Sequence, residues 1–384
     1  MKIVELYLKN ILFFLSGLFH RDSNIFIFGA WFGDRLSDNS KYYLNHVLEE
    51  HYKDNNMKLY WVGNAQLKEQ VQKNYGDKVS FLQRNNIRTY LLILRAKYIF
   101  VSHGYLDVGS VNLSRNSVMI QFWHGFPLKK IGADAPENSQ EGIHYYQRYS
   151  YYISQSRTNT KRLLTGFKNY GINLNKIIEV GYPRNYYLLQ QKTKSVISFR
   201  KKFKIPAENL IVLYLPTFRD SNASTFSFSQ LGDKEQGLLK RNHISILERH
   251  HFADATKAVK SDSSNIIEVK ENIETQDLLC YADILITDYS SVYVDFALLN
   301  RPIIHYLYDE EYYLNNDRGL YTKNFQEEVG GQIVHNLDEL LDSLITKKYS
   351  LSKYSDKRSE INKRFSEYCF SKDITEIDRL IWSK

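Results

Sequence analysis

The chain has 384 residues, enough for two domains at about 100–200 residues each. Hydrophobic residues make up 43% and charged residues 24%, which excludes a wholly disordered chain; the only two cysteines, Cys280 and Cys369, exclude a disulfide framework or a cysteine-rich zinc site and fit a reducing compartment. Lys plus Arg number 51 against 43 Asp plus Glu, and the net charge of +8 favours an anionic partner: a nucleotide, a phosphate polymer or an anionic lipid.

Residues 1–20 read as one helix. Ile3, Leu6, Tyr7, Asn10, Ile11, Phe14 and Leu18 share a mostly apolar face. The uncharged run from Asn10 to Phe19 is about half of what a bilayer span requires, and no small-residue cleavage site follows it. The helix is therefore either core-packed or interfacial, lying in one leaflet.

Beyond it, short apolar runs alternate with longer helical ones. Strands are expected at Asn24–Gly29, Lys58–Val62, Lys97–Val101, Ser117–Phe122 and Lys176–Val180, then at Leu210–Leu215, Ile244–Leu247, Ile266–Val269, Asp283–Thr287 and Pro302–Tyr306. Helices are expected at Asn39–His51, Ile87–Leu94, Arg157–Phe167, Ser195–Phe203, Thr275–Tyr281 and Ser291–Leu298. Runs such as IVLYL and DILIT are apolar throughout, as in a parallel sheet covered on both faces. The pattern predicts an α/β protein with two Rossmann-like domains facing a central cleft, 21–190 and 191–384, and the C-terminal helix is a candidate to return to the first half.

Four segments at strand ends carry the chemistry. The strand SVMIQF runs into Trp123-His124-Gly125-Phe126-Pro127-Leu128-Lys129. Ligands of open α/β sheets bind beyond strand carboxyl ends, so His124 is placed to act as a general base, with Gly125 permitting close backbone approach. Gly181-Tyr182-Pro183-Arg184 ends another strand, where backbone N–H groups and a guanidinium can face a phosphate. Pro216-Thr217-Phe218-Arg219-Asp220 follows IVLYL. Thr287-Asp288-Tyr289-Ser290-Ser291 closes DILIT at a helix start: Asp288, Ser290 and Ser291 can cap that helix, its N-terminus suits a pyrophosphate, and Asp295 can accept a hydrogen bond from a hydroxyl. The adjacent pair His250-His251 could contact the same phosphates. No metal-ligand spacing accompanies that pair; no P-loop or GxGxxG is present, so ATPase and NAD readings fail, and no G-x-S-x-G elbow appears.

In this order the segments resemble the CDP-glycerol glycerophosphotransferase family of teichoic-acid primases and polymerases. The likeness rests on Trp123 to Lys129, Gly181 to Asn185, Pro216 to Asp220, Thr287 to Phe296 and Arg301-Pro302, and covers most of residues 24–335. Phe126, Phe218 and Tyr186 stand where the family pattern has Thr, Trp and Asp. The family's His-Pro falls by register on His251-Phe252, with His250 the alternative. The resemblance implies a GT-B fold and a mechanism in which His124 deprotonates an acceptor hydroxyl that attacks the β-phosphorus of CDP-glycerol, with CMP leaving. It implies that Thr217, Arg219, His251, Ser290 and Ser291 stabilise the diphosphate, with His251 catalytic beside His124. Gly181, Tyr182, Pro183 and Arg184 would contact the donor, Asp288 would fix its loop and Asp295 would bind glycerol hydroxyls. Trp123, Gly125 and Lys129 would support the acceptor or the loop.

It further implies a lipid-linked sugar acceptor, no nucleic-acid partner, and a peripheral enzyme on the cytoplasmic face of the cell membrane. The basic clusters Lys161-Arg162, Arg200-Lys201-Lys202 and Lys347-Lys348 are candidates to face anionic lipid. Mg2+ is compatible with the chemistry, but no ligand cluster marks a metal or other cofactor. The early first strand suggests a short, primase-like enzyme. CDP-ribitol as donor, extension of a capsule polymer, and a sugar-nucleotide GT-B glycosyltransferase are the alternatives.

Overall fold

The computed structural model describes residues 2–52, 56–135, 144, 147–190, 195–217, 226–249, 265–269, 273–316, 319–322 and 324–382. The chain forms two compact units. The first comprises Met1–Gly125, Ile131–Tyr186 and Glu367–Lys384; the second comprises Phe126–Lys130 and Tyr187–Ser366.

The first unit is built on β1 (Asp22–Gly29), β2 (Lys58–Gly63), β3 (Val79–Gln83), β4 (Ala96–Val101), β5 (Val118–Gln121), β6 (Tyr151–Ser154) and β7 (Ile177–Glu179). These strands form one sheet in the order β3-β2-β1-β4-β5-β6-β7, and the pairs are parallel. Alternate residues of β1 serve opposite faces: Phe26 and Phe28 pack with Tyr43, Trp61 and Phe100, whereas Ile25 and Ile27 pack with Ile99, Val101 and Met119. Both faces are thus buried, which is why the central strands are apolar throughout.

The second unit is built on β8 (Leu210–Tyr214), β9 (Ile244–Glu248), β10 (Ile266–Glu268), β11 (Ile284–Thr287), β12 (Ile303–Tyr306) and β13 (Gln332–Val334). They run parallel in the order β10-β9-β8-β11-β12-β13. In each sheet the order reverses once, between β1 and β4 and between β8 and β11. Loops leaving neighbouring strands at such a point diverge, and the crevice they leave is where open α/β sheets take ligands. The sequence-predicted strands all form, within two residues at their ends. Strands β3, β6 and β13 were not anticipated.

The second unit, expected to run to residue 384, stops at Ser366. The chain then returns to the first unit through helices Glu367–Ser371 and Thr375–Trp382. Burial drives the return: Ile377 is inside the Phe26/Trp61 cluster, Trp382 stacks 6.1 Å from Phe26, and the Tyr368 N–H donates to the Gln155 carbonyl at 3.1 Å. Gly181 permits it locally, since a Cβ there would lie 2.9 Å from both Cα and Sγ of Cys369.

The N-terminal helix, Lys2–Leu15, docks through Phe13, which joins the first unit's core, with Leu6 half-buried against it. Tyr7, Leu8, Ile11, Phe14 and Leu15 point outward, and Leu18 beyond the helix is 81% exposed. The apolar face read from sequence is therefore divided, Leu6 packing inward while Tyr7, Ile11, Phe14 and Leu18 face out. Among the described residues no helix is long and apolar enough to cross a membrane.

Candidate active site

Strand β5 ends at Gln121 and delivers His124 to the carboxyl edge of the first sheet. The turn is tight: Trp123 has φ +65° and Gly125 φ +147°, a conformation that suits only glycine at the second position. Trp123 is held by its N–H on Gln121 Oε1 at 3.1 Å and by its carbonyl, which accepts from Asn39 Nδ2 at 2.7 Å. The His124 carbonyl accepts from Arg184 Nη1 at 2.8 Å, and the same Nη1 lies 3.1 Å from Asp38 Oδ1. Asn39 Oδ1 in turn accepts from the Arg184 N–H at 3.2 Å. Asp38 and Asn39 open the helix Asp38–Glu50, so this helix start and the Gly181–Arg184 turn together clamp the histidine loop.

The imidazole itself is oriented by the neighbouring strand. Nδ1 of His124 lies 3.4 Å from the Ser102 carbonyl, just beyond β4. With Nδ1–H donating there, the lone pair is on Nε2, the form a general base requires. Burial holds His124 below the usual imidazole range, outweighing the Asp38 carboxylate, which raises it. His124 is therefore neutral at pH 7. Its ring stacks on that of His103 at 4.1 Å and 5°. His103 is itself fixed by the Trp31 N–H on its Nδ1 at 3.2 Å, and burial lowers it well below the usual value. Beneath the pair, Asp107 accepts from the N–H groups of Ser102, His103 and Phe32 at 2.7–2.9 Å. Burial pushes the Asp107 carboxyl up to about 6, against those three donors, which lower it.

His103, Asp107 and Asp38 were not singled out from sequence. A signal was present: Ser102-His103-Gly104 repeats, after strand β4, the strand-then-His-Gly pattern that marked His124. Of the residues expected at the donor, Tyr182 is fully buried with its hydroxyl donating to Asn159 Oδ1 at 2.7 Å, and Pro183 begins a helix. Gly181 is a packing glycine and Arg184 binds Asp38. Arg184, and Tyr182 through its hydroxyl 3.5 Å from the Gly125 carbonyl, support the His124 loop, whereas Gly181 packs against Cys369.

In the second unit, the loops after β8 and β11 meet at the sheet's reversal. Asp288 Oδ1 accepts from the N–H groups of Thr217 at 2.8 Å and Tyr289 at 2.7 Å, and from the Thr217 hydroxyl. The Asp288 carbonyl accepts from Nδ1 of His305 at 3.1 Å; burial brings His305 down to about 4 and keeps it neutral. Asp288 is thus a loop-fixing residue, not the helix cap suggested by its position. The helix that follows, Val292–Ala297, is only 6 residues long, and Ser291 at its cap position makes no side-chain cap bond. Ser290 Oγ accepts weakly from the Val292 N–H at 3.4 Å. Both serines are part-exposed, and the Ser291 hydroxyl has no partner among the described residues. Asp295 lies inside the unit, 1% exposed, with Oδ2 accepting from Gln276 Nε2 at 3.4 Å.

Lys129 belongs to a strip that crosses into this unit. It bridges to Leu320, and its Nζ sits 5.0 Å over the Tyr313 ring, which stacks on Tyr289 at 3.8 Å. The Tyr289 ring of this pile is buried, 1% exposed. Arg219, His250 and His251 lie outside the described residues.

Comparison with known proteins gives the family and the fold. A profile described as CDP-Glycerol:Poly(glycerophosphate) glycerophosphotransferase matches residues 11–383. A Staphylococcus aureus protein named teichoic acid glycerol-phosphate transferase is 29% identical over 90% of this chain and 89% of its own. A Bacillus spizizenii protein named teichoic acid poly(glycerol phosphate) polymerase is 28% identical over 96% of this chain and 93% of its own, so length does not separate one transfer from many. The solved wall teichoic acid polymerase TagF shares the fold, with a TM-score of 0.77 at 22% identity over 100% of this chain and 95% of that one. With two Rossmann-like units in a GT-B-like fold and a family match that runs nearly end to end, this chain belongs to the CDP-glycerol glycerophosphotransferase family.

Proposed function

We propose that this chain carries out the family reaction, transfer of glycerol phosphate from CDP-glycerol, onto a hydroxyl of a lipid-linked acceptor at a membrane surface. His124 Nε2 takes the hydroxyl proton as the oxygen attacks the β-phosphorus; the bond from that phosphorus to the bridging oxygen breaks, and CMP leaves with both bonding electrons. Ser290 and Ser291, together with Arg219 and His251, stabilise charge on the diphosphate, while Thr217 holds Asp288 and so fixes their loop. Trp123, Gly125 and Arg184 hold the histidine loop, and Lys129 supports the second unit's loops through Tyr313 and Leu320. The observation that carries this reading is His124: neutral, tautomer set by the Ser102 carbonyl, at a strand end of a family member.

The experiment is CMP release from CDP-glycerol, CDP-ribitol and a UDP-sugar, by wild type and by the Ser290→Ala, Ser291→Ala double variant. Wild type is expected to use CDP-glycerol, and the double variant to bind it more weakly by about 1–3 kcal/mol, since an anion loses two hydroxyl donors. Release from CDP-ribitol alone reassigns the donor. Calorimetry showing unchanged CDP-glycerol affinity in the double variant removes the serines from the site.

The membrane part rests on the outward apolar residues of the N-terminal segment in a chain of net charge +8. A Leu8→Glu, Ile11→Glu, Leu18→Glu triple variant is expected to lose co-sedimentation with vesicles containing anionic lipid. Its melting temperature should be unchanged, because the substituted side chains are exposed and Phe13 is retained. Undiminished co-sedimentation would refute the interfacial helix.

A further inference from the structure

A second constellation lies in the first unit, in residues that the transfer chemistry does not use. His46 is in the helix Asp38–Glu50, His51 follows its end, and Asp378 is in the helix Thr375–Trp382. Nε2 of His46 lies 2.8 Å, and Nε2 of His51 3.0 Å, from the same oxygen, Asp378 Oδ2. Candidate ligand atoms of the three residues all fall within 4.8 Å of one another. On an unbroken helix, residues five apart point about 140° away from each other. Here His51 caps the helix with a stretched φ of −119°, its N–H still on the Val47 carbonyl at 3.0 Å, and both rings reach one carboxylate.

We propose that His46, His51 and Asp378 bind one divalent transition-metal ion, of the class that takes mixed imidazole and carboxylate ligands: Zn2+ and its neighbours Co2+, Ni2+ and Cu2+. Two imidazole nitrogens and one carboxylate oxygen suit these ions and not Mg2+ or Ca2+, which prefer oxygen alone. Ligands about 2.0–2.1 Å from a tetrahedral ion stand about 3.3 Å apart, so the two Nε2-to-Oδ2 separations need open by only a fraction of an ångström. The supports that orient metal ligands are already in place. The Tyr43 hydroxyl donates to the other carboxylate oxygen, Oδ1, at 2.8 Å, and the His51 ring stacks on Trp382 at 3.7 Å and 14°. The His46 and His51 side chains are 14% and 26% exposed, which leaves a side open for a water as fourth ligand. On binding, each imidazole coordinates through an unprotonated Nε2 with its ring proton on Nδ1, and the ion takes the place of the direct Nε2 contacts to Oδ2.

The ion would tie the returning C-terminal helix to the helix that begins with Asp38 and Asn39. Those two residues hold the His124 loop, roughly 12 Å along the same helix from His46. The inference does not depend on the transfer reaction and is tested without it. Untagged, chelator-treated full-length protein is titrated with Co2+ and followed by visible absorption, then with Zn2+ in competition. Wild type is expected to bind one Co2+ per chain, with the absorption of a tetrahedral N/O site, and to release it to Zn2+. His51→Gln and Asp378→Asn are expected to weaken binding by at least about tenfold. His51→Gln, at the cluster's rim, is the control should Asp378→Asn fail to fold, with circular dichroism as the check. No Co2+ spectrum from wild type, or equal binding by folded His51→Gln, would overturn the assignment and leave the three residues as a hydrogen-bonded cluster only.

Discussion

Replacing His124 with alanine is expected to lower kcat by about 10²–10⁴-fold, while CDP-glycerol affinity and the melting temperature stay near wild type. An alcohol is scarcely ionised at neutral pH, so its proton must leave as the bond to phosphorus forms. The ring at the end of β5 has its Nδ1 toward the Ser102 carbonyl and its Nε2 available. The loop is clamped through backbone atoms of residues 123 and 124, so truncating the side chain leaves that clamp intact. The pH profile supplies a second readout. Burial places the His124 pKa below the usual imidazole value, so in wild type kcat/KM should fall only as the pH drops through that lowered value, and this acidic limb should vanish in His124→Ala. A variant keeping more than about a tenth of wild-type kcat would move the base elsewhere.

Arg184→Met is expected to be the most destabilising of the site variants, by about 3 kcal/mol. Arg184 and Asp38 form a buried pair, with side chains 9% and 4% exposed. Removing the guanidinium leaves a carboxylate in the interior without its counter-charge, and the cost of breaking a buried pair is dominated by that stranded charge. The His124 carbonyl loses its donor in the same step, so kcat should fall as well. Denaturant unfolding and calorimetry with CDP-glycerol separate this from the phosphate contact that Arg184's place in the Gly-Tyr-Pro-Arg motif suggested. A phosphate ligand would show lost donor affinity with unchanged stability; the buried pair predicts the reverse order of effects.

Much of the architecture was legible because parallel strands covered on both faces are apolar at consecutive positions. IFIFG, LIVLY, ILIT and IIHY announce themselves in this way, and the polar motifs stand at their carboxyl ends. Strands β3 and β13 escaped because they lie at sheet edges, where VSFLQ and QIV need bury only part of their length. Strand β6, Tyr151–Ser154, is interior but has 4 residues and two tyrosines, which read equally as loop aromatics.

By itself the sequence determined the fold class, the strand-end placement of His124 and of the Asp288–Ser291 loop, and the family, because each depends on neighbours a few residues away. Which groups surround those residues was decided by tertiary packing. His103 stacks on His124 only because β4 and β5 pair side by side. Arg184 faces Asp38 rather than solvent only because the turn after β7 lies against the helix that follows β1. Asp378 meets His46 and His51 only because burial of Ile377 draws the C-terminal helix back across the first sheet. Spacing along the chain encodes periodicity and local turns; it carries no distance between residues more than three hundred positions apart, and that distance is set by which apolar faces must be buried together.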